Sequence, residues 1–77
     1  MKAEKILLTE DDPNLSFMLT DGLEDEGFDI TACNEGEKAL ELFKKSAYDI
    51  VLLDVNLSGR MTGFETARCI RAFSSVP

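Results

Sequence analysis

The side chains with the most chemistry to offer are carboxylates at the ends of two apolar runs. Ile50-Val51-Leu52-Leu53 stops at Asp54, and Ile6-Leu7-Leu8-Thr9 stops at Glu10, Asp11 and Asp12. A short unbroken apolar run bounded by polar residues reads as a strand buried on both faces, as in a parallel sheet. Open α/β sheets place their ligands at the carboxyl edge of such strands. If the two runs are parallel neighbours, their ends meet and four acidic groups crowd one small place. Like charges held that close are unfavourable unless a cation or a proton intervenes.

Carboxylate oxygens in a chain with no histidine suit magnesium or calcium, not zinc. Magnesium keeps several waters and commonly takes only one or two protein carboxylates. Asp11 and Asp54 fit that role, with Glu10 acting through water and a loop carbonyl filling another position. Such a site leaves room for a phosphoryl oxygen. Asp54 is then a candidate nucleophile, because carboxylates form aspartyl phosphates when the incoming charge is neutralised. The competing reading makes Glu10, Asp11 and Asp12 solvated loop residues and helix caps. Asp12 fits that reading, whereas Asp11 together with Asp54 favours the metal.

The elements that must position these groups follow from periodicity and punctuation. Residues 5–9 read as the first strand. Asp12-Pro13 reads as a helix start, with Asp12 or Asn14 as cap and proline in the first turn. Leu15, Met18, Leu19, Gly22 and Leu23 form one apolar stripe at helical spacing, expected to be core, and Gly27 supplies the left-handed stop. Residues 28–32 alternate apolar and polar, as in a strand nearer a sheet edge. Asn34 with Glu37 has the spacing of a cap pair. Ala39, Leu40, Phe43 and Ala47 mark the inner face of a helix over roughly residues 35–46. The strand ending at Asp54 comes next, then a loop from Val55 to Met61. Thr62-Gly63-Phe64-Glu65 has capping-box spacing and opens a third helix carrying Phe64, Ala67, Ile70 and Phe73. Residues 74–77 break that helix and resemble the approach to another strand.

The order βαβαβα predicts right-handed crossovers and a doubly wound, three-layer α/β fold with a parallel sheet. Such sheets normally have more than three strands. The expectation is therefore a domain truncated after its third βα unit, with the strand ending at Asp54 left as an open apolar edge. An open edge is a template for pairing, and self-association through it is expected.

With 77 residues the chain is at most one small domain. A formal net charge of -7 disfavours direct contact with nucleic acid or an anionic membrane by this segment. No apolar run approaches the length of a membrane span and no signal-peptide core is visible, so the expected compartment is the cytoplasm. Cys33 and Cys69 lack metal-ligand spacing and read as reduced, buried, inert thiols.

From Lys5 to Pro77 the sequence resembles the receiver domain of two-component response regulators. The resemblance is carried by Ile6 to Asp12, Gly27-Phe28, Gly36 with Ala39-Leu40, Asp49 to Asp54, and Gly63-Phe64-Glu65 followed by Ile70-Arg71. It implies a flavodoxin-like fold and a role in phosphorelay rather than an enzyme. Asp54 would be the phospho-acceptor, receiving its phosphoryl group from a sensor histidine kinase. Asp11 would be the direct magnesium ligand alongside Asp54, Glu10 the water-mediated one, and Asn56 would lend its backbone carbonyl. The helix over 13–26 is similar to the kinase-docking helix, and an output domain or partner beyond this chain would read the modified surface.

Three departures fall in the loop after Asp54. The family's usual proline is Ser58, its aspartate before the glycine is Thr62, and the interval from Asp54 to Gly63 is one residue longer, with Gly59-Arg60 as the extra length. The family's switch serine or threonine and its phosphoryl-pairing lysine belong to later strands. Lys5, Lys38, Lys44 and Lys45 lie on the wrong elements to replace that lysine, so by itself the segment is expected to bind magnesium but to phosphorylate and switch poorly. Two alternatives stand beside this reading. One is a protein-interaction module that works without phosphorylation. The other is a phosphatase of the haloacid-dehalogenase type, against which Asn56 stands where a general acid would be needed.

Overall fold

A computed structural model describes residues 3–55, 57, 59, 61–72 and 74–77. Three strands, β1 (Lys5–Thr9), β2 (Asp29–Cys33) and β3 (Ile50–Leu53), alternate with three helices, α1 (Pro13–Asp25), α2 (Gly36–Lys45) and α3 (Gly63–Arg71). The sheet is parallel throughout, in the order β2-β1-β3. The expected element order and doubly wound arrangement are therefore present, with each boundary within about two residues of its expected position.

The pleat explains the layers. Successive side chains of a strand point to opposite faces. Leu8 and its register partner Leu52 share a groove with Leu19 of α1. Val51 and Leu53 instead share one with Ala67 and Ile70 of α3. Helix α1 thus lies on one face, packed on β1 and β2, while α2 and α3 pack against each other on the opposite face. Ile6, Leu7, Leu8 and Thr9 are buried because β1 is hydrogen-bonded on both sides and covered on both faces.

It is β1, then, that is buried on both faces, not β3. The four residues of β3 are half-buried or exposed, and Leu52 retains 38% of its surface. The reason is position: β3 lies at the sheet edge, where α1 covers it only at its margin, near Leu19. That edge is partly occupied by the chain itself, since the Val51 N–H donates to the carbonyl of Pro77 at 2.8 Å. The segment over 74–77 does approach the sheet as a strand would, beside β3.

The apolar stripe of α1 is a second correction. Met18 is 68% exposed, Leu15 and Leu19 are also exposed, and no residue of α1 is fully buried. The face turned inward carries Ser16, Thr20 and Leu23. Helix α1 sits over β2 and β1, so the side of the helix bearing Leu15, Met18 and Leu19 overhangs β3 and meets little there. Similarly, Phe64 of α3 is 68% exposed, because the inner face is set by Gly63, Thr66 and Ile70. Phe73 lies outside the described residues.

Helix ends follow local chemistry. The side chain of Asp12 caps α1, accepting from the N–H groups of Asn14 at 2.9 Å and Leu15 at 3.4 Å. Gly27 takes φ +94°, as the left-handed stop after α1 requires. The N-cap of α2 is Glu35 with no side-chain bond, so Asn34 and Glu37 do not form the expected cap pair. Thr62 and Glu65 do form the capping box of α3: the Glu65 N–H donates to Thr62 Oγ1 at 3.1 Å and the Thr62 N–H to Glu65 Oε1 at 3.0 Å. Threonine in place of the family's aspartate therefore still caps this helix. Ala47 falls beyond α2 and is exposed, while Phe43 stacks on Tyr48 with ring centroids 6.2 Å apart.

Candidate functional site

The register of β1 and β3 brings the acids together. Thr9 pairs with Leu53, and the next N–H along, that of Asp54, donates to the Thr9 carbonyl at 3.0 Å. On the other side of β1, the Glu10 N–H donates to the Cys33 carbonyl at 3.0 Å. Glu10 is thereby fixed between both neighbouring strand ends. Glu10, Asp11 and Asp54 each offer a carboxylate oxygen, all within 4.8 Å of one another, with Glu10 buried and the other two half-buried. Asp12 is turned away to cap α1, as one of the two readings of that residue held.

Burial pushes the Glu10 carboxyl above its ordinary value. Its hydrogen bond with the Asp54 side chain and the charges of Asp54 and Asp11 push the same way. The Asp12 N–H, donating to Glu10 Oε2 at 3.2 Å, opposes them in part. The cluster is thus a place where negative charge is disfavoured until something positive is supplied. Its donors are all hard oxygens from strand ends, a set suited to a small divalent cation of the magnesium type. Glu10 and Asp11 also face a cavity of about 710 Å³, walled in part by Phe17, Cys33 and Lys38, which leaves the acids accessible from outside.

Asn56, expected to contribute a backbone carbonyl, lies outside the described residues, as do Ser58 and Arg60 of the altered loop. Cys33 and Cys69 are free thiols, half-buried rather than buried as expected. Cys33 Sγ lies 3.4 Å from Thr9 Oγ1. One residue marked in the sequence only as part of a capping box and of the family resemblance proves to be a neighbour of the site. Gly63, the first residue of α3, is buried directly against the main chain of Asp54. Its sequence signal was a glycine inside a capping box, where a better helix former would be expected.

Fold and cluster together define a doubly wound α/β protein that gathers carboxylates at the carboxyl ends of two adjacent parallel strands. Residues 6–77 match the family described as the response regulator receiver domain, and the chain belongs to that family, which serves two-component signalling. The DNA-binding response regulator MtrA of Mycolicibacterium smegmatis is 43% identical over 74 residues, covering 96% of this chain and 32% of the relative. The transcriptional regulatory protein CpxR homolog of Haemophilus influenzae is 44% identical over 73 residues, covering 95% and 31%. Among solved structures, response regulator TrrA of Thermotoga maritima in complex with Mg²⁺-BeF superposes with a TM-score of 0.85 at 38% identity, over 90% of this chain and 59% of that one. A complex of histidine kinase ThkA with TrrA matches with a TM-score of 0.86 at 37% identity, over 92% and 60%. The chain thus spans about a third of the length of the curated relatives it matches.

Proposed function

We propose that this receiver accepts a phosphoryl group on Asp54 from the phosphohistidine of a sensor kinase and that the modified surface is read by an output domain or partner. The observation that carries the reading is the convergence of Glu10, Asp11 and Asp54 at the joined ends of β1 and β3. The acceptor oxygen of Asp54 forms the new O–P bond as the donor's N–P bond breaks, and the electron pair stays on the departing imidazole nitrogen. Asp54 suits this step because it is half-buried at a strand end, accessible yet fixed through its main chain to Thr9.

Asp11, Asp54 and the Asn56 carbonyl would hold Mg²⁺ directly, with Glu10 acting through water. When bound, the cation supplies positive charge that offsets the carboxylates and the incoming phosphoryl oxygens. A likeness to TrrA, whose structure holds Mg²⁺-BeF, supports this assignment, as the ThkA–TrrA complex supports a histidine kinase as partner. Phosphorylation replaces the single negative charge of the Asp54 carboxylate with roughly -1.5 to -2 spread over three phosphoryl oxygens, which biases a two-state surface. The DNA-binding relatives suggest transcription as the readout.

Incubation of the chain with acetyl phosphate and Mg²⁺, followed by mass spectrometry, tests the acceptor. A phosphoryl adduct mapped to Asp54, absent in Asp54→Asn and absent with a chelator, is the expected result. An adduct that persists in Asp54→Asn, or one mapped to another residue, would overturn the reading, whereas a low yield matches the weak labelling expected of this segment by itself.

A further inference from the structure

We propose that Gly63 is a positioning residue for Asp54: the close packing of α3's first turn on the Asp54 main chain sets where the Asp54 carboxylate stands relative to Glu10 and Asp11. The inference rests on the reading of these three acids as the cation and phosphoryl site. A Cβ at Gly63 would overlap the Asp54 carbonyl oxygen and would lie 2.9 Å from both the Asp54 carbonyl carbon and Val55 Cα. These are main-chain atoms of the acceptor and its neighbour. They cannot swing aside as the end of a flexible side chain can, so any added atom displaces the backbone that carries the Asp54 side chain.

Space alone selects glycine here. Positive φ values among the described residues occur only at Gly27 and Gly59, so Gly63 has a backbone that alanine adopts readily, and alanine is the better helix former. Nor is α3 free to recede. Its first turn is locked by the Thr62–Glu65 capping box, and the buried Thr66 hydroxyl donates to the Thr62 carbonyl at 2.8 Å. Behind Thr66 stands the start of α2, where a Cβ at Gly36 would overlap Thr66 Oγ1. The turn is therefore wedged between α2 and Asp54. Asp54 in turn is held from the other side by its hydrogen bond to Thr9. With β1 on one flank and α3 on the other, the main chain that carries its carboxylate is held from both sides.

Ile6 supplies a control, since it is buried in the core toward the end of β1 remote from the acids and is no part of the wedge. The test is a Mg²⁺ titration of the 77-residue chain, followed by amide ¹⁵N chemical shifts, for the unaltered chain, Gly63→Ala, Ile6→Val and Asp54→Asn. Thermal unfolding is recorded for each. Gly63→Ala is expected to move the Asp54 amide resonance before any Mg²⁺ is added and to weaken Mg²⁺ binding roughly 10- to 100-fold, the range seen when groups supporting metal ligands are altered. Ile6→Val is expected to lower the unfolding temperature and leave Mg²⁺ affinity unchanged.

An unmoved Asp54 amide with unaltered affinity in Gly63→Ala would overturn the proposal, as would an equal loss of affinity in Ile6→Val. If Gly63→Ala does not fold in buffer, the titration is repeated in trimethylamine N-oxide, which favours compact states. Failure to fold even there would make Gly63 a folding requirement and not a positioning residue. Absence of Mg²⁺ binding by the unaltered chain, or binding undiminished in Asp54→Asn, would instead sink the site reading, and the proposal with it. That outcome is distinct from one in which only Gly63→Ala is silent.

Discussion

The Asp54 N–H donates to the Thr9 carbonyl oxygen at 3.0 Å, so the last rung of the β1–β3 ladder belongs to the candidate acceptor itself. The position of the acid is thus an extension of sheet register, not of loop conformation. A one-residue slip in a parallel pair would turn Asp54 to the opposite face. What holds the register is the burial of β1, whose side chains fill both faces of the sheet at its centre.

Leu7→Ala is accordingly expected to damage fold and site together. Leu7 is fully buried on the α2–α3 face of β1. Truncating such a leucine typically removes about 2–5 kcal/mol, a large share of the stability of a domain this small. A urea titration monitored by circular dichroism should show the midpoint falling sharply or the transition vanishing. A midpoint within error of the unaltered chain would contradict the core assignment.

Asp12→Ala is expected to separate helix capping from cation binding. The Asp12 carboxylate caps α1 through the N–H groups of Asn14 and Leu15, and it lies outside the Glu10, Asp11 and Asp54 cluster. Loss of such a cap costs about 0.5–2 kcal/mol. The Asp12 N–H that donates to Glu10 is retained by alanine. Stability should therefore drop by that amount while Mg²⁺ affinity changes little. A large loss of Mg²⁺ binding would place Asp12 in the site after all.

Much of this arrangement was legible in the sequence, for identifiable reasons. The two apolar runs ending in acids announced parallel strands whose ends converge, because buried strands tolerate no interruption and carboxylates mark where burial stops. Thr62 and Glu65 announced the start of α3 through spacing alone. The inward face of α1 was not legible. Periodicity defines a stripe through Leu15, Met18 and Leu19, but only the width of the sheet beneath decides how much of it is covered, and here the inward face is Ser16, Thr20 and Leu23. Phe64 misled in the same way, since its bulk suggested core while α3 turns the small Gly63 and Thr66 inward. Gly63 was visible as a motif residue, but its packing on Asp54 was not, because a missing side chain shows its role only in what it allows to come close.

Association of the chain with itself is expected through the overhanging side of α1 and the edge of β3. Leu19 lines a groove whose other wall includes Leu52, and Leu15 and Met18 stand exposed on the same helix. The Pro77 carbonyl already takes the Val51 N–H, so apolar contact rather than strand pairing should dominate. A net charge of -7 on each copy opposes the contact. Salt screens that repulsion, with a Debye length near 10 Å at 0.1 M and near 3 Å at 1 M. Sedimentation equilibrium should therefore show association that strengthens with ionic strength and weakens in Met18→Lys. A monomer at all salt concentrations would refute it.

Glu10 gives the site a pH signature. Burial, and then the neighbouring Asp54 and Asp11, raise its folded-state pKa above the ordinary value of 4.5. Below that ordinary value Glu10 carries its proton in both folded and unfolded chains and contributes no difference. As pH rises past it, the unfolded chain releases the proton first, so the folded state binds more protons and stability falls until the raised folded value is passed. The metal-free chain should therefore lose stability across this window. Glu10→Gln, which keeps an oxygen to accept from the Asp12 N–H, removes the charge and should flatten that part of the profile. The two proteins should unfold at similar temperatures at pH 4 and diverge by pH 7, with the variant the more stable. Adding Mg²⁺ at pH 7 should stabilise the unaltered chain, since binding to the folded state alone raises stability by mass action, and should narrow the gap. Parallel pH profiles for the two proteins without metal would show that Glu10 is not held in the disfavoured charged state that the cluster implies.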